Sequence, residues 1–260
     1  MPQARVLTIA GSDSGGGAGI QADIKTITCL GGYAMSALTA LTAQNTQGVF
    51  GIHPVPTDFI AQQISLCLDD IGADAIKTGM LHSAEVIETV LENVPDGVPL
   101  VVDTVMVAKG GAPLLEPDAI DALKTKLIAR ATLITPNIPE AALLLGHPIH
   151  LDTMEHAAQG LLALGCEAVL LKGGHLEGDQ LVDILASKSG IERFESQRIL
   201  TSHTHGTGCT LAAAIATSIA QKQSLSASVA RARDYVQTAI TAAPGLGNGH
   251  GPLGHNFMCN

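Results

Sequence analysis

The run Ser202-His203-Thr204-His205-Gly206-Thr207-Gly208-Cys209-Thr210 leads straight into the apolar stretch Leu211–Ile219. Glycines ahead of a helix let successive N–H groups point at one spot, and the helix dipole adds partial positive charge there. Such a turn is an anion hole suited to a phosphoryl group in transfer. Cys209 falls in the first helical turn, where a lowered thiol pKa is expected. It could then take a proton from an attacking hydroxyl. A plain helix N-cap followed by a small buried cysteine fits Gly206, Thr207 and Gly208 equally well on their own.

A second glycine-rich segment, Gly11–Gly19, follows the first apolar run and opens a helix. Its residues 17–22 match GxGxxA, but a dinucleotide site also needs an acidic residue about 20 positions later. No Asp or Glu lies between Asp23 and Asp58, and no Gly-Lys-Ser/Thr follows to make a Walker loop. So many glycines together suggest close backbone approach to a ligand, a tight turn being the simpler alternative.

Other polar residues stand just behind predicted strands: Asp13, Asp103, Asn137 and Lys172. Asn137 and Glu140, three apart, can both reach a hydrated magnesium ion, which keeps several waters and needs few protein ligands. Asp103 could serve the same ion. Glu140 could equally be a helix-dipole partner, and Lys172 a solvated turn lysine.

The elements that must position these groups alternate along the chain. Arg5–Ala10, Tyr33–Thr42, Ala75–Thr78, Leu100–Val102, Leu133–Thr135 and Ala168–Leu171 read as strands. Gly19–Leu30, Asp58–Asp70, Ser83–Leu91, Asp118–Ala129, Pro139–Leu145 and Met154–Leu164 read as helices, with Ser83 a predicted N-cap. Gln180–Ala186 and Glu192–Gln197 read as a hairpin edge, Gly208–Ile219 and Ser226–Thr241 as closing helices, and Pro244–Gly254 as a loop. Continuous apolar strands alternating with helices predict an α/β fold: a mainly parallel central sheet with helices on both faces. No linker divides the chain, so residues 1–260 are expected to form a single domain. Ligands of such sheets gather at the carboxyl ends of the strands, where the polar residues above stand.

Composition narrows the function. With 14 Lys+Arg against 24 Asp+Glu, the net charge of −10 argues against binding nucleic acid or an anionic membrane. Aromatics at 2% offer no base-stacking platform. Apolar runs fall far short of the roughly 20 residues of a membrane span. The five cysteines are irregularly spaced without a CxxC pair, which fits a reducing cytoplasm rather than a disulfide framework.

Taken in order, Ala10–Asp23 (AGSDSGGGAGIQAD), Ala40–Gly48 (ALTAQNTQG), Ile76–Met80 (IKTGM), Val102–Gly111 (VDTVMVAKGG), Thr135–Glu140 (TPNIPE), Leu171–His175 (LKGGH) and His205–Thr210 (HGTGCT) form a specific pattern. The chain resembles the hydroxymethylpyrimidine/phosphomethylpyrimidine kinases of the ribokinase-like superfamily nearly from end to end. The resemblance implies phosphorylation, by ATP with magnesium, of 4-amino-5-hydroxymethyl-2-methylpyrimidine and then of its monophosphate, in thiamine biosynthesis. It implies that Gln44 pairs with the aminopyrimidine edge, since a primary amide offers donor and acceptor side by side. Asp23 falls at a substrate-binding position, and Gly11, Met80 and Val107 line the pyrimidine slot. Gly206, Thr207 and Gly208 donate the anion hole and Cys209 is the base. Lys172 and Asn137 contact ATP, while Asp103 and Glu140 organise magnesium. A homodimer is the family's common state. Each of these positions also has a structural reading: strand end for Gln44, helix carboxylate for Asp23, core for Gly11, Met80 and Val107. After Asp103 the family usually has Pro where this chain has Thr104, which frees φ and leaves the role of Lys109 open.

The resemblance leaves pyridoxal kinase activity as an alternative, since pyridoxal also carries a hydroxymethyl on a small aromatic ring. A non-catalytic ligand-binding protein and a nucleotide-dependent oxidoreductase are the readings from other classes. The first is disfavoured by the intact Cys209, Asn137, Glu140 and Lys172, the second by the missing ribose carboxylate.

Overall fold

A computed structural model of the chain describes residues 3–107, 111, 114–176 and 178–259. Lys109 lies outside the described residues. The strands are β1 (Arg5–Asp13), β2 (Tyr33–Asn45), β3 (Gly48–Pro54), β4 (Ala75–Thr78), β5 (Leu100–Val102), β6 (Leu133–Ile134), β7 (Ala168–Lys172), β8 (Gln180–Ser187) and β9 (Gly190–Gln197). They form a nine-stranded sheet in the order β3-β2-β1-β4-β5-β6-β7-β8-β9. From β2 to β7 every neighbouring pair is parallel, whereas β3, β8 and β9 are antiparallel to their neighbours. The expected mainly parallel sheet is therefore the observed one.

Strand alternation sorts the core onto two faces. Leu7, Ile9, Ile76, Val102, Ile134, Val169 and Leu171 join one buried cluster. Val6, Ala75, Val101, Leu133, Ala168 and Leu170 join the other. The first face is covered by α2 (Thr57–Asp70), α3 (Ala84–Asn93), α4 (Ala119–Ala122) and α5 (Ile128–Arg130), then α6 (Ile138–Leu145) and α7 (Met154–Leu162). The second is covered by α1 (Gly19–Cys29), α8 (Thr207–Ala220) and α9 (Leu225–Thr241). In α8 the residues Leu211–Ala216 are all buried, so this helix sits deep and its first turn is fixed with it.

Two local expectations need correction. The strand read as Tyr33–Thr42 continues to Asn45 and turns into β3, an edge strand whose two glycines and mostly exposed side chains mask any pattern. Asp118–Ala129 is not one regular helix: a π-helical turn, Leu123–Leu127, separates α4 from α5. The tail Pro244–Gly254 is loop as expected, and a 3-10 helix over His255–Cys259 follows it. Ser83 does cap α3, its hydroxyl accepting from the Val86 amide.

The chain order puts β2 on one side of β1 and β4 on the other. The carboxyl ends of β1, β4, β5, β6 and β7 therefore open along one edge of the sheet, with the change of direction at β1.

Candidate active site

The two glycine-rich segments meet at that edge. Gly206 caps α8 with φ of 84°, and a Cβ there would stand 1.8 Å from the Gly17 carbonyl oxygen. Gly17 in turn lies against the His205 ring, where a Cβ would come 2.5 Å from Cδ2. Only glycine permits this left-handed, close approach. The glycines of the first segment thus bring the second turn in. Their amides are already engaged: Asp13 accepts from Gly15, Gly17 and Ala18 at 2.8–3.0 Å.

The turn of α8 opens on a charged floor. A Cβ on Gly208 would lie 3.4 Å from Lys172 Nζ and 3.7 Å from both carboxylate oxygens of Asp103. Lys172 Nζ stands 3.4 Å from Asp103 Oδ1, which also receives the Thr135 hydroxyl at 3.3 Å. Asp103 Oδ2 is buried and has no hydrogen-bond partner among the described residues. Burial alone would lower Lys172, but the charges of Asp103 and Glu140 raise it, so its ammonium is secure.

Asn137 and Glu140 form a capping box at the start of α6. Asn137 Oδ1 accepts from the Glu140 amide, and Glu140 Oε2 accepts from the Asn137 amide, each at 2.9 Å. Glu140 Oε2 also receives the Thr104 hydroxyl at 2.9 Å. The departure at Thr104 therefore supplies a hydrogen bond that proline could not. Burial raises the Glu140 carboxyl to about 6, aided by Asp103 and opposed by Lys172.

Cys209 occupies the first turn as expected, but its thiol is shifted the other way. Burial pushes it up to about 12, and Asp103 and Asp23 add to the rise. The Lys77 charge and a hydrogen bond from the Gly19 amide oppose it without prevailing. Desolvation outweighs the helix terminus here.

Asp23 lies beneath the site and has no exposure. Both its oxygens meet Lys77 Nζ, at 2.9 and 3.0 Å, and Thr8 donates its hydroxyl to Oδ2. Lys77 is fully buried too. Burial would lower it, yet the Asp23 carboxylate holds it raised and protonated.

On the other side of the turn, Gln44 ends β2. Its Oε1 lies 3.1 Å from the Thr42 hydroxyl and its Nε2 lies 3.3 Å from His205 Nε2. The same His205 nitrogen is 2.8 Å from Asp13 Oδ2. Burial would raise Asp13, but the bonds from His205, Ala18 and Gly15 outweigh it and hold the carboxyl low. Gly11 faces Met80, whose Sδ would be 3.0 Å from an added Cβ. Met80 is buried, whereas Val107 is 53% exposed.

The structure thus gathers Gly206, Thr207, Gly208, Cys209, Asp103, Lys172, Asn137 and Glu140 around one turn, with Gln44, Gly11 and Met80 flanking it and Asp23 below. Sequence reasoning missed Lys77 and His205 and the parts played by Thr104 and Asp13. The signal for Lys77 was a lysine inside the otherwise apolar strand Ala75-Ile76-Lys77-Thr78. His205 carried no comparable signal, because its partner is 192 residues away.

A sheet of this order with a glycine-rich turn, a lysine and paired carboxylates at its carboxyl edge is the architecture of a ribokinase-like small-molecule kinase. The sequence matches the phosphomethylpyrimidine kinase family over residues 13–254, and the chain belongs to that family. It is 46% identical to the hydroxymethylpyrimidine/phosphomethylpyrimidine kinase of Salmonella typhimurium, covering 98% of both chains. It is 53% identical to the thiamine biosynthesis bifunctional protein ThiED of Geobacter sulfurreducens over 98% of its own length, and spans 52% of that longer protein. Among solved structures, the pyridoxal kinase of Staphylococcus aureus in complex with AMP-PCP and pyridoxal superposes with a TM-score of 0.90. That structure is 34% identical, covering 98% of this chain and 94% of the other. The protein is a kinase, a phosphotransferase. Among the described residues no helix is long and apolar enough to cross a membrane.

Proposed function

We infer that this kinase transfers the γ-phosphate of ATP to the hydroxymethyl group of 4-amino-5-hydroxymethyl-2-methylpyrimidine and then phosphorylates the monophosphate, two steps of thiamine biosynthesis. The observation that carries the reading is the meeting of the Gln44 slot with the Gly206–Cys209 turn, held together by the Gly17–Gly206 contact. In this reading the Gln44 amide recognises the ring and the adjoining turn recognises the phosphate.

In this reading, Gly11, Met80, Val107 and Gln44 line the ring's slot, with Asp23 beneath. The first-turn amides at Gly206, Thr207 and Gly208 receive the migrating phosphoryl group, whose transition state spreads charge over three oxygens. Lys172 and Asn137 contact the triphosphate. Cys209 is the proton acceptor. Only a thiolate can take that proton, and burial keeps the thiol protonated in the free enzyme. In this reading the sulfur first gives its own proton to water, with the Lys77 charge stabilising the thiolate. The hydroxyl's proton then passes to the sulfur as the oxygen bonds to phosphorus.

Magnesium fits the residues present. Among the described residues the buried Asp103 Oδ2 has no partner, a costly orphan that a cation or its bound water would satisfy. Magnesium keeps several of its waters and needs few protein ligands. Asp103 and Glu140 would hold it, and it would supply charge neutralisation for the triphosphate.

The same reading takes residues 1–260 as one domain and assigns a cytoplasmic location, consistent with Cys67, Cys166 and Cys209 standing outside any disulfide. It also takes the chain as a homodimer that acts on small molecules and not on nucleic acid. Sedimentation velocity checks the oligomeric state. Pyridoxal phosphorylation is the second reading, favoured by the likeness to the pyridoxal-bound Staphylococcus aureus enzyme. Product analysis with ATP, magnesium and either ring decides. Phosphorylated pyrimidine is expected, and turnover of pyridoxal alone would overturn the assignment.

A further inference from the structure

His205 stands between the slot and the phosphate turn, and hydrogen-bond arithmetic shows what it does there. A carboxylate can only accept, so the His205 Nε2 that lies 2.8 Å from Asp13 Oδ2 carries the ring proton. A nitrogen so committed cannot accept from the Gln44 NH2 group placed 3.3 Å away. The other end of the carboxamide meets a matching conflict. Thr42 has one hydroxyl hydrogen, with the Ser12 carbonyl at 2.9 Å and Gln44 Oε1 at 3.1 Å both requiring it. Turning the carboxamide over resolves both conflicts, and O and N of an amide are assigned from such networks. The carbonyl then receives the His205 N–H, shared with Asp13. The NH2 group donates to Thr42, whose hydrogen goes to Ser12.

We propose that His205, anchored by Asp13, and Thr42, anchored by the Ser12 carbonyl, are positioning residues that fix the Gln44 carbonyl on the side of the phosphate turn and its NH2 group on the far side, and thereby set substrate specificity. The inference rests on the pyrimidine reading above. In that substrate the hydroxymethyl carbon is attached next to the carbon bearing the amino group. An amide that accepts from the amino group on the His205 side, and donates to the ring nitrogen on the Thr42 side, turns the hydroxymethyl toward Gly206 and Cys209. The reverse order turns it away. His205 immediately precedes Gly206, so the residue that orients the ring is built into the turn that receives the phosphate.

Steady-state kinetics on the full chain, with ATP, magnesium and the hydroxymethylpyrimidine, tests this. His205→Phe keeps ring bulk and loses the N–H. It is expected to raise the pyrimidine KM roughly tenfold, the cost of one misdirected hydrogen bond, with the ATP KM within about twofold. His205→Gln, whose NH2 can replace the Nε2 proton, should restore most of the affinity. In a Gln44→Ala background, His205→Phe should add almost nothing. Thr42→Val should show the same pyrimidine-only effect and the same dependence on Gln44, and it decides the matter if His205→Phe does not fold. Equal rises in both KM values, or effects that add fully to those of Gln44→Ala, would overturn the proposal while leaving the pyrimidine reading intact. A wild-type enzyme that phosphorylates no pyrimidine would overturn that reading first, and this inference with it.

Discussion

The two glycine-rich segments look alike in sequence, each a run of small residues opening a helix, yet they satisfy their backbone amides in opposite ways. In the first, Asp13 reaches forward and accepts from Gly15, Gly17 and Ala18, while the Gly16 amide bonds to the Asp13 carbonyl. The segment carries its own anion. In the second, the Thr207 amide reaches the Thr204 carbonyl at 3.4 Å, but among the described residues no side chain caps α8, so the positive end of a deeply buried helix is left for a ligand's charge. Glycine content alone does not make a phosphate site; a site requires amides without an internal acceptor.

The sharpest way to break this comparison is to place the same substitution in each segment. Both Gly206 and Gly16 have φ near +80°, so alanine strains either by about 1 kcal/mol. At Gly206 the new Cβ also collides with the Gly17 carbonyl, whereas at Gly16 its nearest neighbour is the movable end of Lys25 at 3.5 Å. Gly206→Ala is expected to lower kcat by roughly 10³-fold through displaced oxyanion donors. Gly16→Ala should cost only stability, read as a lower Tm with kcat within about twofold. Equal losses of kcat would show that both segments hold the phosphoryl group.

Cys209→Ala should reduce kcat by roughly 10²-fold with the fold retained, the usual magnitude for a positioned proton acceptor. Near-normal turnover would remove it from that role. The thiol's position at about 12 gives an independent check. Alkylation of Cys209 in the free enzyme, followed by peptide mass spectrometry, should accelerate about tenfold per pH unit from pH 7 to 10 without a plateau. A plateau below pH 8 would mean that the helix terminus governs the sulfur after all. Gln44→Ala has a smaller expected effect, a roughly tenfold rise in the pyrimidine KM without a matching rise for ATP.

Much of this site was legible because its residues stand directly behind continuous apolar strands. Asp103 follows β5, Asn137 follows β6 and Lys172 ends β7, so a parallel sheet brings them to one edge whatever the details of packing. Periodicity failed where the pattern itself was altered. The π-helical turn at Leu123–Leu127 inserts a residue into a helical repeat, and β3 exposes Phe50 and buries little. Energetic direction was harder to read than position. The first turn of α8 was placed correctly for Cys209, but the lowered thiol expected from a helix terminus gave way to burial among carboxylates. Those carboxylates, Asp23 and Asp103, come from α1 and the segment after β5, and no local window of sequence contains them. Lys77 illustrates the same limit: its charge inside a strand was visible, but its partner on α1 was not.

The smallest effect concerns the first segment's internal anion. Asp13→Asn keeps the shape but removes the charge that three amides and His205 share, which is worth about 2 kcal/mol for charge-assisted bonds at a largely buried carboxylate. The sign of its pH dependence follows from the held-down Asp13 carboxyl. A carboxylate lowered on folding contributes stability in full above its unfolded value near 4, and loses it as pH falls through the folded value. The denaturation midpoint of Asp13→Asn should therefore trail the wild type by a constant margin from about pH 5 to 7 and converge with it on acidification. The ATP KM should stay within about twofold, because this carboxylate binds the protein's own amides and not the nucleotide. If the ATP KM rose as far as it does in Gly206→Ala while the midpoints stayed equal, the assignment of the two segments would have to be exchanged.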